Sequence, residues 1–237
     1  MTDTQVIDMG DFSVTIVRSR RKTLTLEIGA EGLKARAPMR MRQSSIEQFI
    51  AQKRNWIYKH LSNRPRPQAK LELVNGAQVL YQGSLHRLQI QFDKRGQGAV
   101  INDQIVLPVS RSHLPSEEST KTKLTKFLKA KALDNLSDQI TKFSQQMSLP
   151  IAIADNIKVR DYKRRWGSCD HRGRLSFNWR IVQAPPEVLD YVAVHELAHC
   201  HEFNHSKRFW RIVEQQMPDW RDRQAWLHDN GARLYQF

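Results

Sequence analysis

The chain has 237 residues, enough for one large domain or two small ones with a proper core. Lys and Arg number 38 against 24 Asp and Glu, a formal net charge of +14 that bears on partners and not on fold. The two cysteines exclude a disulfide framework, and no apolar run approaches the roughly 18 residues of a spanning helix, so a cytoplasmic protein with no membrane segment is expected.

The first third reads as strands. "FSVTIV" and "TLTLEIGAEGLKARA" alternate apolar and polar residues around a Gly turn, which places Leu24, Leu26 and Ile28 on one face. "SSIEQFIAQKRNWIYKHL" follows a Ser start signal with Ile46, Phe49, Ile50, Trp56, Ile57 and Leu61 at near-helical spacing, and predicts one amphipathic helix. "NRPRPQAK" breaks it. Residues 71–109 return to strand patterns, with turn signals at "NG" (75–76), "QG" (82–83), "RGQG" (95–98) and "ND" (102–103).

At "SRSHLPSEEST" the composition shifts. The expected organisation is a mainly β portion over 1–112, carrying that one helix, and a helical portion over 113–237. Ser116, with Glu118 and Ser119, starts a long helix whose apolar stripe runs through Leu124, Phe127, Leu128, Ala132, Leu136, Ile140 and Phe143. Next, "IKVRDYKRRWGSCDHRGRLSFNWRIVQAPPEV" reads as a strand, a basic turn and a hairpin around "DHRG", closing on Pro-Pro before a helix from about Pro186. Two short helices separated by Pro218 complete the chain and end near Gly231. The fold class expected is α+β, with the helix from Pro186 packed near a small sheet.

That helix carries "VHELAHCHEFNH", residues 194–205. His195, Glu196 and His199 form an H-E-x-x-H match. Each helical residue advances about 100°, so His195 and His199 lie roughly 40° apart and one turn along, close enough to share one metal ion. Glu196 sits about 100° from His195, where it reaches a water at the metal instead of the metal itself. A catalytic zinc commonly takes three protein ligands and leaves a fourth position open. His205 is the favoured third ligand, which requires the helix to stop before it, and Asn204 offers a left-handed stop. Glu202, seven residues after His195 and back on its face, is the fallback. His201 points away as a surface histidine, and Cys200 lies outside the ligand face as a small buried hydrophobe. Cys169, in a distant turn, would close the site as a fourth ligand. Met217 is read as a helix-end core residue. The tryptophans Trp166, Trp179, Trp210, Trp220 and Trp226 are read as core, with base stacking the minority use of Trp166.

"RRWGSCDHRGRLSFNWRIVQAPPEVLDYVAVHELAHCHEFNHSKRFW" resembles the signature region of the YgjP-like zinc metallopeptidase family, related to the WLM and SprT-like metallopeptidases. "RSRRKTLTLEI", "APMR" before "IEQFIAQKRNWI", and "WLHDNGARL" extend the resemblance over most of the chain. It implies a single Zn2+, or another divalent metal, on His195, His199 and His205, with Glu196 catalytic.

A metal-dependent hydrolase is therefore expected, first a metallopeptidase cleaving peptide bonds with a metal-activated water and Glu196 as base. Arg165, Arg180 and Tyr191 are candidate substrate-binding residues for the developing negative charge. The alternative is a nucleoside triphosphate pyrophosphatase acting on UTP, an activity the resemblance implies, with "DYKRRWGS" and Lys207–Arg208 as triphosphate ligands. A weaker third reading, from the SprT-like resemblance and the charge, is a DNA-associated protein that meets nucleic acid or another polyanion through its basic surface.

Overall fold

Alternation at every second residue builds the first sheet. The computed structural model describes residues 3–29, 32–62, 71–92, 96–109 and 116–237, and the chain divides into two compact units, Met1–Pro67 and Gln68–Phe237. In the first unit, β1 (Asp3–Asp8), β2 (Ser13–Ser19), β3 (Thr25–Gly29) and β4 (Gly32–Pro38) form a sheet of order β1-β2-β4-β3 in which β2 and β4 run parallel. Val14 and Ile16 of β2 and Leu33, Ala35 and Ala37 of β4 share its buried face. They pack with Ile46 and Ile50 of α1 (Gln43–Gln52) and Ile57 of α2 (Arg54–Ser62). One continuous helix was the expectation. Instead it breaks at Lys53, whose N–H bonds to the carbonyls of both Phe49 and Ile50, the tightened closing turn of a helix end. Trp56, placed on the apolar stripe by sequence, is 38% exposed. The break expected at 63–70 lies outside the described residues.

The second unit begins with two hairpins, β5 (Gln78–Tyr81) with β6 (Ser84–Phe92) and β7 (Ala99–Ile101) with β8 (Gln104–Val109), joined by parallel pairing of β6 and β8. Gln82 and Gly83 both take positive φ, 47° and 79°, the backbone of a tight two-residue hairpin turn. Helix α3 (Glu117–Gln146) starts where Ser116 accepts a hydrogen bond from the Ser119 N–H at 3.2 Å. Its stripe from Leu124 to Phe143 is buried as the spacing predicts, against β8 on one side and α4 (Pro186–Ala198) on another. The strands of 71–109 thus share one core with the helices of the C-terminal half, and the units separate at 67/68. The boundary drawn at 112/113 lies outside the described residues.

A small sheet of order β10-β11-β9 completes the unit: β9 (Lys158–Arg160), β10 (Gly167–Cys169) and β11 (Leu175–Asn178), with the β10–β11 turn closed by Asp170 accepting from the N–H groups of Arg172 and Arg174. Helices α5 (Lys207–Gln216) and α6 (Trp220–Asn230) pack on the core through Phe209, Val213, Trp220 and Leu227. The fold class is α+β. Among the described residues no helix is long and apolar enough to cross a membrane.

The β5–β6 turn braces the start of α4. The Gln82 and Gly83 N–H groups donate to the carbonyls of Val182 and Gln183, just ahead of the Pro185–Pro186 helix start. A Cβ on Gly83 would lie 2.9 Å from Pro185 Cγ and 3.0 Å from its Cα. Gly83→Ala, strained by both φ and this contact, should cost about 1–3 kcal/mol. Gln82→Gly, which relieves a positive φ, should cost less than about 1 kcal/mol. Thermal or urea unfolding of the two variants checks this, and equal losses would refute the role of the Pro185 contact.

Candidate metal centre and cleft

Helix α4 has Pro186 in its first turn and nine buried residues from Val188 to Ala198, so it runs through the core and not along the surface. His195 and Glu196 leave it on neighbouring faces. The helix closes at Ala198, with His199 as its cap, earlier than the stop expected at Asn204. The cause is local hydrogen bonding. Cys200 and His201 N–H groups bond back to the carbonyls of Leu197 and Ala198 in a tightened turn, and His199 Nδ1 faces the Glu202 carbonyl at 3.2 Å. His201 Nε2 lies 3.1 Å from the Met147 carbonyl, which ties the following loop to the end of α3. That loop delivers His205 just before Ser206, whose side chain caps α5 by accepting from the Phe209 N–H.

The result is a convergent triad. One ligand atom from each of His195, His199 and His205 lies within 4.8 Å of the others. The Nε2 atoms of His195 and His205 face each other at 3.0 Å. With His199 Nδ1 turned to the Glu202 carbonyl, its Nε2 is left for a ligand, an outer hydrogen bond that orients a metal-binding imidazole. Glu202 takes part through its backbone carbonyl. The donor set fits a metal chemically, because ligands must be neutral imidazoles. Burial, and then the neighbouring charges of His199 and His205, push the His195 pKa down to about 3. Burial also lowers that of His199.

An aromatic plate holds the rings in place. Phe209, fully buried, has its centroid 4.9, 4.6 and 4.8 Å from those of His195, His199 and His205. Trp210 stacks on His205 at 5.8 Å and on Trp220 at 4.1 Å, while Tyr191 meets His195 edge-on at 5.8 Å. His195 Nδ1 is buried without a hydrogen-bond partner, so its ring is oriented by packing.

Glu196 is only 6% exposed. Its carboxylate lies against β10, where it accepts a hydrogen bond from the Cys169 N–H. A Cβ on Gly167 would come within 2.6 Å of Glu196 Cγ and Oε1, so only glycine lets strand and carboxylate approach this closely. Burial pushes the Glu196 pKa up to about 8, against the opposing charge of Arg165 and the Cys169 amide.

His195 and Glu196 line a cleft of about 400 Å³ with Arg165, Gly167, Tyr191 and Gln224. The model of the YgjP-like metallopeptidase domain matches residues 22–230. The chain belongs to the YgjP-like metallopeptidase family. No curated protein and no solved structure matches it. At the level of the family it is a metal-dependent hydrolase.

Of the substrate-binding candidates, two reach the cleft of this metallopeptidase domain. Arg165 is exposed on its rim. Tyr191 is buried in its wall, and burial pushes its pKa up to about 12 despite a hydrogen bond with Gln224. Arg180 goes elsewhere. It is 9% exposed, pairs with Asp161, and stacks over Trp179 and Tyr235 at 4.4 and 4.6 Å. Buried Asn178 secures the Arg165 turn, its side-chain amide donating to the carbonyls of Tyr162 and Arg165. The sequence reading missed Asn178, Gly167, Phe209, Gln224 and His228, the last also on the cleft wall. Gly167 did carry a signal, since a glycine inside a strand marks a close approach. Trp166 meets Tyr235 in a tilted contact at 5.7 Å and fills the space left by Gly231, which absorbs it into the packing.

The two shifted groups oppose each other in pH. Between about pH 6.5 and 3 the unfolded chain carries a proton on His195 that the folded chain lacks, so acidification removes stability. Between about pH 4.5 and 8 the folded chain carries one on Glu196 that the unfolded chain lacks, so rising pH removes stability. In metal-stripped protein their joint contribution to Tm is therefore level from about pH 4.5 to 6.5 and falls on either side. Glu196→Gln should abolish the fall above pH 6.5 and keep the acid limb. Melting curves in chelator test this, and parallel alkaline limbs in the two proteins would contradict it.

Proposed function

We propose that this chain is a zinc-dependent peptidase in which His195, His199 and His205 hold one ion and Glu196 is the general base. The observation that carries the reading is the convergence of three imidazoles on one point at the edge of a cleft that also contains a buried carboxylate. A zinc ion bound there supplies a Lewis acid and lowers the pKa of water towards roughly 7.

The remaining work falls to the chain. Glu196 accepts the proton of the attacking water and returns it to the leaving amine nitrogen. Its raised pKa makes it a stronger base than an exposed carboxylate, and Gly167 with the Cys169 N–H fixes its position. Tyr191, which stays protonated at neutral pH, and Arg165 are the donors available to the oxyanion that develops on the scissile carbonyl. β10 is an edge strand of its sheet and borders the cleft at Gly167, so an extended peptide has backbone groups beside which to lie.

Arg165 also favours a second reading, hydrolysis of a nucleoside triphosphate such as UTP, because a guanidinium on the rim suits a phosphate. Lys207 and Arg208, counted with it by sequence, are not among the residues lining the cleft, which supports the peptide first. Association with DNA is supported by net charge alone.

Peptide cleavage and phosphate release should be assayed side by side on one zinc-loaded preparation. Glu196→Gln should keep its zinc and lose at least about 10²-fold in turnover, whereas His205→Ala should lose the ion. Full activity in Glu196→Gln would rule out its role as base. Phosphate release without peptide cleavage, abolished by the same variant, would transfer the site to the second reading. Gly167→Ala, which displaces the carboxylate and spares the histidines, should reduce turnover about tenfold or more at unchanged zinc content.

A further inference from the structure

Two half-buried thiols lie beside this site and take no part in the proposed hydrolysis. Cys169 ends β10, and Cys200 follows His199 in the closing turn of α4. Their Sγ atoms are 3.7 Å apart although the residues are 31 positions apart in sequence. The turn of the β10–β11 hairpin lies over the pair, with a Cβ on Gly173 reaching 3.9 Å from Cys200 Sγ. We propose that Cys169 and Cys200 are a redox-active dithiol, oxidised by a hydroperoxide to a disulfide that ties β10 to the end of the metal-binding helix.

The chemistry balances with hydrogen peroxide as oxidant. One sulfur attacks a peroxide oxygen, the O–O bond breaks, and a sulfenic acid and one water form. The second thiol then attacks that sulfur, the S–O bond breaks, and the S–S bond forms with loss of a second water. Two thiols lose two electrons and two protons in all, and the peroxide is reduced to water. From 3.7 Å the sulfurs must close by about 1.7 Å to reach a disulfide bond of roughly 2.05 Å.

That closure has consequences on both sides. Cys169 contributes the N–H that holds the Glu196 carboxylate, and Cys200 sits one residue after His199. Drawing the two together shifts the strand that positions the carboxylate and the turn that positions a ligand. Oxidation therefore weakens metal retention and hydrolysis, and reduction by a dithiol restores them. The loss of hydrolysis and the effect on the metal rest on the function proposed above, whereas the disulfide does not.

The full-length, zinc-loaded protein is treated with hydrogen peroxide, alkylated, digested without reductant and analysed by mass spectrometry. The expected result is a loss of about 2 Da, with one linked peptide pair joining Cys169 to Cys200. Dithiothreitol reverses it, and Cys169→Ser and Cys200→Ser each abolish it. Zinc release to a chelator should be at least about threefold faster from the oxidised protein. Two freely alkylated thiols after peroxide, oxidation of either sulfur to a sulfinic acid, or linkage only between molecules would overturn the pair. Unchanged zinc release from fully oxidised protein would overturn its coupling to the site. Because wild-type protein alone decides these outcomes, poor folding of a serine variant does not blunt the test, and neither readout needs a substrate.

Discussion

Burying a carboxylate is the constraint around which this site is arranged. Glu196 projects from a helix whose other buried positions are Val, Leu, Ala and Tyr191, and its charged form loses most of its hydration there. Three features offset that cost: the Cys169 N–H, the Arg165 charge, and a glycine that lets the strand come within reach. Each belongs to the segment from Arg165 to Cys169, so the small sheet of β9, β10 and β11 is the support for one acidic group as much as a structural element. Asn178 at the end of β11 is buried as well. It holds the Tyr162–Arg165 turn whose far end carries the balancing arginine.

The histidines answer to a different force. The neutral forms of His195 and His199 are favoured first by burial and then by the charge of neighbouring imidazoles, and the rings of the triad are packed by Phe209, Trp210 and Tyr191. Because Phe209 touches all three rings, α5 is bound to the end of α4 through the triad as well as through the intervening loop. The triad and the core are thus continuous. A change that loosens the packing of Phe209 acts on ligand geometry directly.

What could be read in advance divides along the same line between local and distant causes. Strand alternation in β2 and β4, the stripe of α3 and the His195–His199 pair all follow from a periodicity written into neighbouring residues, and each is visible in the sequence. His205 could be named as a candidate, but not the reason it arrives. The helix ends at Ala198 through bonds from His199 to Glu202 and from His201 to Met147, and no residue propensity announces those. Arg165 and Arg180 looked alike on paper. One lies on the rim and the other is sealed between two aromatic rings by Asp161, a difference made by Trp179 and by Tyr235 at the far end of the chain. The strands of 71–109 read as β without showing that their buried faces meet α3, because parallel pairing of β6 and β8 and docking on a helix are not local properties.

The two halves of the site bear on each other through charge. A cation held by the three imidazoles favours the ionised form of any carboxyl nearby and so weakens it as a base. An exposed glutamate in that position would begin near 4.5 and be drawn lower still. Burial against β10 starts Glu196 from about 8, which leaves room for the pull of a cation while keeping the group basic enough to take a proton near neutral pH. The same desolvation keeps His195 unprotonated and free to donate its lone pair. One physical condition, a helix end drawn into an apolar core, therefore sets the protonation of both the candidate ligand and the candidate base. Gly167 is where that condition is most exposed to change, since a Cβ there would lie 2.6 Å from Glu196 Cγ and Oε1 and either the strand or the carboxylate would have to move.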